Sequence, residues 1–225
     1  EKLDNVTVVA RCMGAGVYDH GYALAYERLT DHLTDKTGPR HRLWRIRAKQ
    51  IVTATGAIER PLSFAGNDIP GVMLASAVRD YAVNFGTSVG DRTVVVTNND
   101  DAYRTAIAMK QAGLDVPAII DTRLAAGPLA SEAAALGIRI LYGKAISSVH
   151  GGKRVTGVAI CSQAGEGGGV LEEINCDVVA MSGGWSPVVH LWSHCGGKLI
   201  WDEGQSHFRP DPSRPPLGAD GTGFV

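Results

Sequence analysis

Between residues 93 and 142 the chain alternates short apolar runs with helix-like segments, and no other feature narrows its possible folds as far. Thr93 to Thr97 is a continuous β-branched run, the pattern of a strand buried on both faces. Asp101 to Ala112 carries Ala102, Thr105, Ala106, Ala108 and Met109 at helical spacing, and Gly113 is placed to close that helix. Val116 to Asp121 predicts a second strand despite Pro117. Leu129 to Leu136 predicts a short alanine-rich helix ended by Gly137, and Ile138 to Tyr142 a third strand. Strands that need cover on both faces, alternating with helices, make a doubly wound parallel sheet.

The flanks have a different character. Val6 to Ala10, Tyr22 to Arg28 and His41 to Arg47 predict the strands of an antiparallel meander, the last two joined by the polar stretch Asp31 to Arg40. The chain then enters an apolar run, Ile51 to Ala54, which leads into Thr55, Gly56 and Ala57. Ser76 to Phe85 has helical spacing, with Ser76 as its N-cap. Beyond the parallel sheet, Ala145 to His150 and Val155 to Ser162 form a hairpin across Gly151 and Gly152. A loop over 165–169, a strand from Leu171 to Asn175 and a buried strand from Asp177 to Met181 follow. The tail from Phe208 is rich in Pro, Gly and Asp and reads as loop; with a strand starting almost at once after Glu1, it marks the chain as a piece of a longer polypeptide.

Bulk properties exclude several classes. There are 22 Lys and Arg against 23 Asp and Glu, which argues against a nucleic-acid surface or a polybasic membrane patch. No apolar run approaches the roughly 20 residues of a membrane helix. Cys12, Cys161, Cys176 and Cys195 form no Cys-x-x-Cys, which speaks against a zinc site or a redox dithiol and suits a reducing, cytoplasmic setting. His190, His194 and Cys195 lie close in sequence but lack a fourth ligand, so no metal is expected. No Gly-x-Ser-x-Gly elbow is present.

A working dinucleotide domain follows its first strand with Gly-x-Gly-x-x-Gly, so that backbone amides reach the pyrophosphate at a helix N-terminus. Here Thr97 is followed by Asn98, Asn99, Asp100 and Asp101, with no glycine and two carboxylates where phosphate charge should go. Either acid can serve as the helix N-cap. The fold is therefore expected to persist without its nicotinamide cofactor. Asp121 stands 23 residues after Asn98, where a ribose-binding acid would be, or else is a solvated carboxylate at a strand end.

Two resemblances build on these residues. Ile51 to Ala57, continued by Arg60, Pro61, Gly71 and Val72, resembles the signature that ends the first dinucleotide domain in the glutathione- and thioredoxin-reductase superfamily; Gly184 and Pro187 match its returning Gly-x-x-Pro turn. This implies an α/β fold of two nested Rossmann-like dinucleotide-binding domains, the first incomplete. Residues 1–88 and 177–225 would belong to the first, and 89–176 to an inserted second domain with a degenerate phosphate loop. Asn98 to Ala106, with Gly16 to His20, Glu59 to Pro61 and Ser182 to Trp192, is further similar to the α subunits of heterotetrameric sarcosine oxidases.

The second resemblance implies an oxidoreductase complex that demethylates sarcosine to glycine and forms hydrogen peroxide, the one-carbon unit leaving as formaldehyde or on tetrahydrofolate. FAD in the β subunit and FMN near the α/β interface would carry the oxidation, with γ and δ subunits as further partners. The α subunit would hold NAD in its first domain. Met13 and Gly14 match the stretch approaching adenine, and Ala54, Thr55 and Gly56 the signature beside the dinucleotide. The matching phosphate loop and the folate domain fall outside this sequence, so the piece alone is expected to bind nucleotide weakly or not at all, and no catalytic residue is expected in it. Alternatives are a related amine, opine or proline-oxidising complex, a free-standing NAD(P)H-dependent flavoprotein reductase, which requires glycines at 97–102, or a module that only holds partner subunits.

Overall fold

The structure, a computed structural model, describes residues 3–163 and 169–216. Along the chain the elements are β1 (Cys12–Tyr18), β2 (Tyr22–Arg28), β3 (His41–Arg47), β4 (Ala57–Glu59), β5 (Val72–Leu74) and α1 (Ala75–Phe85). Then come β6 (Thr93–Thr97), α2 (Asp101–Gln111), β7 (Ile119–Asp121), α3 (Leu129–Ala135), β8 (Ile140–Tyr142), β9 (Lys144–Gly151), β10 (Val155–Ser162) and β11 (Glu172–Asn175). Last are β12 (Val178–Ser182), β13 (Trp185–Pro187), α4 (His190–His194), β14 (Leu199–Asp202) and β15 (His207–Pro210).

These elements gather into two compact units, one formed by the chain up to Ile58 and from Ser186 onward, the other by Glu59–Trp185. The chain passes between them within β4 and β13, which pair with each other.

The continuous unit is the doubly wound one. Its five-stranded sheet runs β5-β12-β6-β7-β8, with every pairing parallel. Alternation along β6 shows why it must be covered on both faces. Val95 packs with Ala102, Tyr103, Ala106 and Met109 on the helix side, while Val94 and Val96 pack with Val149, Val158 and Ile160 of β9 and β10. All five residues of β6 and of β12 are buried. Each such valine contributes about 1.5–3 kcal/mol of burial, so this central pair holds the unit together. The antiparallel sheet β11-β10-β9 closes the second face.

The discontinuous unit contains the meander β1-β2-β3 and the hairpin of β14 and β15. The β1–β2 turn places both His20 (φ 57) and Gly21 (φ 64) in the left-handed region. Gly21 is required twice over, because a Cβ there would also lie 2.0 Å from the Ala48 carbonyl oxygen.

Four local expectations change. The first strand is Cys12–Tyr18 and not Val6 to Ala10, whose Val6 and Val8 are 50% and 85% exposed. An apolar run becomes a strand only where a neighbour pairs with it, and the tight turn gives that neighbour to residues 12–18. Ile51 to Ala54 is likewise not a named strand, and Val52 is 74% exposed. Helix α1 takes no cap from Ser76; instead the Glu59 carboxylate accepts the Ser76 amide at 2.9 Å. The tail pairs through β14 and β15, where Trp201 meets Phe208 edge-on at 5.0 Å. The loop expected over 165–169 lies, apart from Gly169, outside the described residues, as does the tail beyond 216.

The sequence reading assigns residues 59–88 to the first domain. In the structure β5 joins the sheet edge beside β12, and α1 packs on α2, so these residues sit in the continuous unit.

Candidate functional site

In the continuous unit the ends of β6 and β12 meet at the place where a doubly wound sheet binds its ligand. The loop after β6 fills that place with its own side chains. Asn99 donates to the Ser182 hydroxyl (2.9 Å) and carbonyl (3.2 Å), and its Oδ1 accepts the Asp101 amide at 3.1 Å. Thr97 Oγ1 accepts the Asn99 amide and donates to its carbonyl, both at 3.0 Å. Asn99, not an aspartate, therefore satisfies the first amide of α2. Asp100 occupies the N-cap position but makes no side-chain cap bond.

Asp100 instead turns toward α3. Its carboxylate accepts the Gly127 amide at 3.2 Å and pairs with Arg123 at 2.8 Å. A Cβ on Gly127 would lie 2.1 Å from Asp100 Oδ2, so the glycine exists to admit this carboxylate. Partial burial alone would raise the Asp100 carboxyl; the Arg123 and Gly127 bonds outweigh it and hold the group below the ordinary carboxylate range. Asp101 is neutralised by Arg79 at 3.2 Å and Arg104 at 3.4 Å.

Asp121 is fully buried and is not a solvated strand end. Arg123 grips it with two guanidinium bonds of 3.0 and 2.8 Å and with its own amide at 2.9 Å, and the Tyr103 hydroxyl donates at 2.8 Å. Burial pushes the Tyr103 phenol far up, and the adjoining Asp121 charge pushes it further. Every Asp121 lone pair that could receive a ribose hydroxyl is taken from inside. The residues here do not fit a nicotinamide dinucleotide: Asn99 takes the first helix amide, two carboxylates flank it where phosphate charge would lie, and the ribose acid belongs to an internal ion pair. Arg123 and Tyr103 carry this arrangement and were not singled out from sequence. The Asp-x-Arg spacing at a strand end was the available signal.

The predicted site residues lie in the discontinuous unit. Met13 and Gly14 sit on β1, with Met13 63% exposed. Ala54, Thr55 and Gly56 form exposed, irregular backbone before β4. Thr55 Oγ1 donates to the Val188 carbonyl at 2.9 Å, and the Gly56 carbonyl accepts the Val188 amide at 3.0 Å. Val188 leads into α4, which packs against β1 and sets His194 5.1 Å from Tyr18, ring to ring. Both stretches thus border one segment, although no direct bond joins them. Gly56 (φ 74) has nothing within 4 Å of a built Cβ, and neither does Gly14, so backbone at both points is open to a close-lying ligand.

Other constellations are spent structurally. Cys195 donates to the Leu191 and Trp192 carbonyls at 3.3 and 3.5 Å. Among the described residues no group of three His, Cys, Asp or Glu side chains is placed to hold a metal.

No family model matches the chain. Over 92% of its length it is 39% identical to sarcosine oxidase subunit alpha of Corynebacterium sp. (strain P-1), spanning 22% of that protein. It is 38% identical to the same subunit of Rhizobium meliloti (strain 1021), spanning 20% of it. Among solved structures it is similar to L-proline dehydrogenase from P. horikoshii, with a TM-score of 0.60 and 20% identity over 95% of this chain and 35% of that one. Thioredoxin reductase from T. acidophilum gives 0.59 and 17% over 85% of this chain and 58% of that one. These identities show the fold alone, an α/β one. By sequence, the chain belongs with the sarcosine oxidase α subunits, as the counterpart of 20–22% of their length.

Proposed function

We propose that the chain is the dinucleotide-binding and scaffold portion of a sarcosine oxidase α subunit. The observation that carries this is the 37–39% identity to three such subunits over 92% of the chain. The complex oxidises sarcosine to glycine and peroxide on flavins held with its other subunits. The one-carbon unit leaves as formaldehyde or on tetrahydrofolate, and the assembly works in the cytoplasm.

Within the α subunit, NAD is held by the first of two nested domains, with 89–176 as the insertion. Met13 and Gly14 lie along its adenine, and Ala54, Thr55 and Gly56 beside the dinucleotide. The open backbone at Gly14 and Gly56 and the anchoring of Thr55 and Gly56 on Val188 support that assignment. The chain's own residues bind and orient; none of them moves a proton of the amine. The second domain is a spacer whose cradle is filled by Asn99 and flanked by Asp100 and Asp101. A purified holoenzyme, assembled from the full-length α subunit and its partners, should form peroxide on addition of sarcosine. Peroxide from proline or opines but not from sarcosine would transfer the chain to one of the related complexes.

A further inference from the structure

We propose that strand β3 is a docking edge, to which a partner polypeptide adds an extended acidic segment as a further strand. This edge presupposes from the scaffold reading only that a partner chain exists. β3 ends the meander and has a neighbour on one side only, β2. The Leu29 amide donates to the Arg40 carbonyl at 2.8 Å and the Ala48 amide to the Gly21 carbonyl at 2.9 Å, which fixes the parity of that ladder. Arg42, Trp44 and Ile46 therefore bond to β2, while Leu43, Arg45 and Arg47 turn their amides and carbonyls outward. Six of the seven β3 residues are exposed, Leu43 at 57%. An exposed edge of this kind is a template for another strand, and proteins normally shorten, twist or cover it.

Charge decides what can pair there. Between Arg11 and Lys49 there are eight Lys and Arg against four Asp and Glu, in a chain that has 22 against 23. The outward residues of β3 share one face, and on it Arg45 and Arg47 converge on a single side chain of β2. Arg45 Nε donates to the Tyr22 hydroxyl at 3.1 Å, and the Arg47 guanidinium lies 4.7 Å from the Tyr22 ring centroid. Arg47 also donates to the His20 carbonyl at 3.2 Å. Neither arginine forms an ion pair among the described residues, because the acids of the meander are engaged elsewhere. Asp31 is matched by Arg40 (2.9 Å) and His41 (2.8 Å), Glu27 by Trp44 (2.8 Å) and Arg42 (3.4 Å), and Asp19 by His20 (3.3 Å). Tyr22 thus holds two like charges side by side, oriented but not neutralised. A second copy of this edge would add its own Arg45 and Arg47 to the same row, and like charges across a strand pair are destabilising. A strand with carboxylates opposite Arg45 and Arg47 and an apolar side chain opposite Leu43 gains charge-assisted bonds in addition to the backbone ladder.

Fluorescence anisotropy of the full-length subunit with labelled peptides of alternating Glu and Val, and of alternating Lys and Val, tests the proposal. The Glu/Val peptide should bind at least ~tenfold more tightly than the Lys/Val peptide, and its affinity should fall as salt rises. The double variant Arg45→Glu, Arg47→Glu should invert that preference, and its gain of the Lys/Val peptide reports that the edge is still folded. Leu43→Pro removes an outward amide and leaves the bonds to β2 in place, as proline on an edge strand does; it should lower Glu/Val affinity by about tenfold. Amide exchange over 41–47 should slow when the Glu/Val peptide binds, which a purely ionic contact would not bring about. No binding, equal binding of the two peptides, an unchanged preference in the double variant, or unslowed exchange would each overturn the proposal. Peroxide formed from sarcosine by a complex whose α subunit binds neither peptide leaves the proposed function standing without this edge. Peptide binding by a subunit whose complex leaves sarcosine untouched keeps the edge alone.

Discussion

A carboxylate at the end of the second strand of a dinucleotide sheet can serve a ribose or its own protein, and Asp121 serves the protein. Its bonds to Tyr103 and Arg123 are buried, so their removal is felt directly. Tyr103→Phe should lower stability by about 1–2 kcal/mol, and Arg123→Ala by about 3–5 kcal/mol, because the second leaves a buried charge unpaired. Denaturant unfolding measures both, and equal losses would mean that the ion pair adds nothing. Asp31 supplies a pH test in the other unit. His41 first, and then Arg40, lower its carboxyl to about 2. Its stabilising contribution is therefore complete above the unfolded carboxylate pKa and disappears as pH falls toward 2. NMR titration should find the Asp31 midpoint near 2. His41→Ala should move that midpoint up toward the ordinary carboxylate value; an unmoved midpoint would remove His41 as the cause.

The loop from Thr97 to Asp101 is the element that separates this chain from working nucleotide domains. Its bonds are short-range and self-satisfying, so Asn99→Ala should destabilise α2 by about 1 kcal/mol through its orphaned first amides. Gly127→Ala should displace Asp100 from α3 and cost more, as thermal unfolding would register. The loss of glycines and the presence of two acids were legible in the sequence, because they are local features. The destination of Asp100 was not: Gly127 and Arg123 approach it only through the fold. The same division holds for whole elements. Strand β6, helix α2 and strand β10 announce themselves by apolar period and flanking glycines, and the structure gives them nearly the expected bounds. Strand β1 does not, since two apolar segments compete and the turn at His20 and Gly21 selects the less hydrophobic one. Of the site, the open backbone at Gly14 and Gly56 follows from glycine itself, whereas the anchoring of Thr55 and Gly56 on Val188 depends on the fold.

On the scale of the molecule, the continuous unit Glu59–Trp185 owns both faces of its sheet, and both core layers lie within it. Expressed alone, it should unfold in one cooperative transition; a broad, non-cooperative melt would tie its core to the rest of the chain. The other unit lacks such a double layer among its described residues, and the relatives are more than four times as long as this chain, which spans 20–22% of them. The proposed function puts nucleotide binding in the full-length subunit, at the first domain and not at the second. Denaturing the purified full-length complex and identifying the released nucleotides by mass tests this most directly. The account predicts NAD in an amount equal to that of the α subunit, still present when Asp121 and Arg123 are substituted. Absence of NAD, or a nicotinamide nucleotide lost with those two residues, would contradict it.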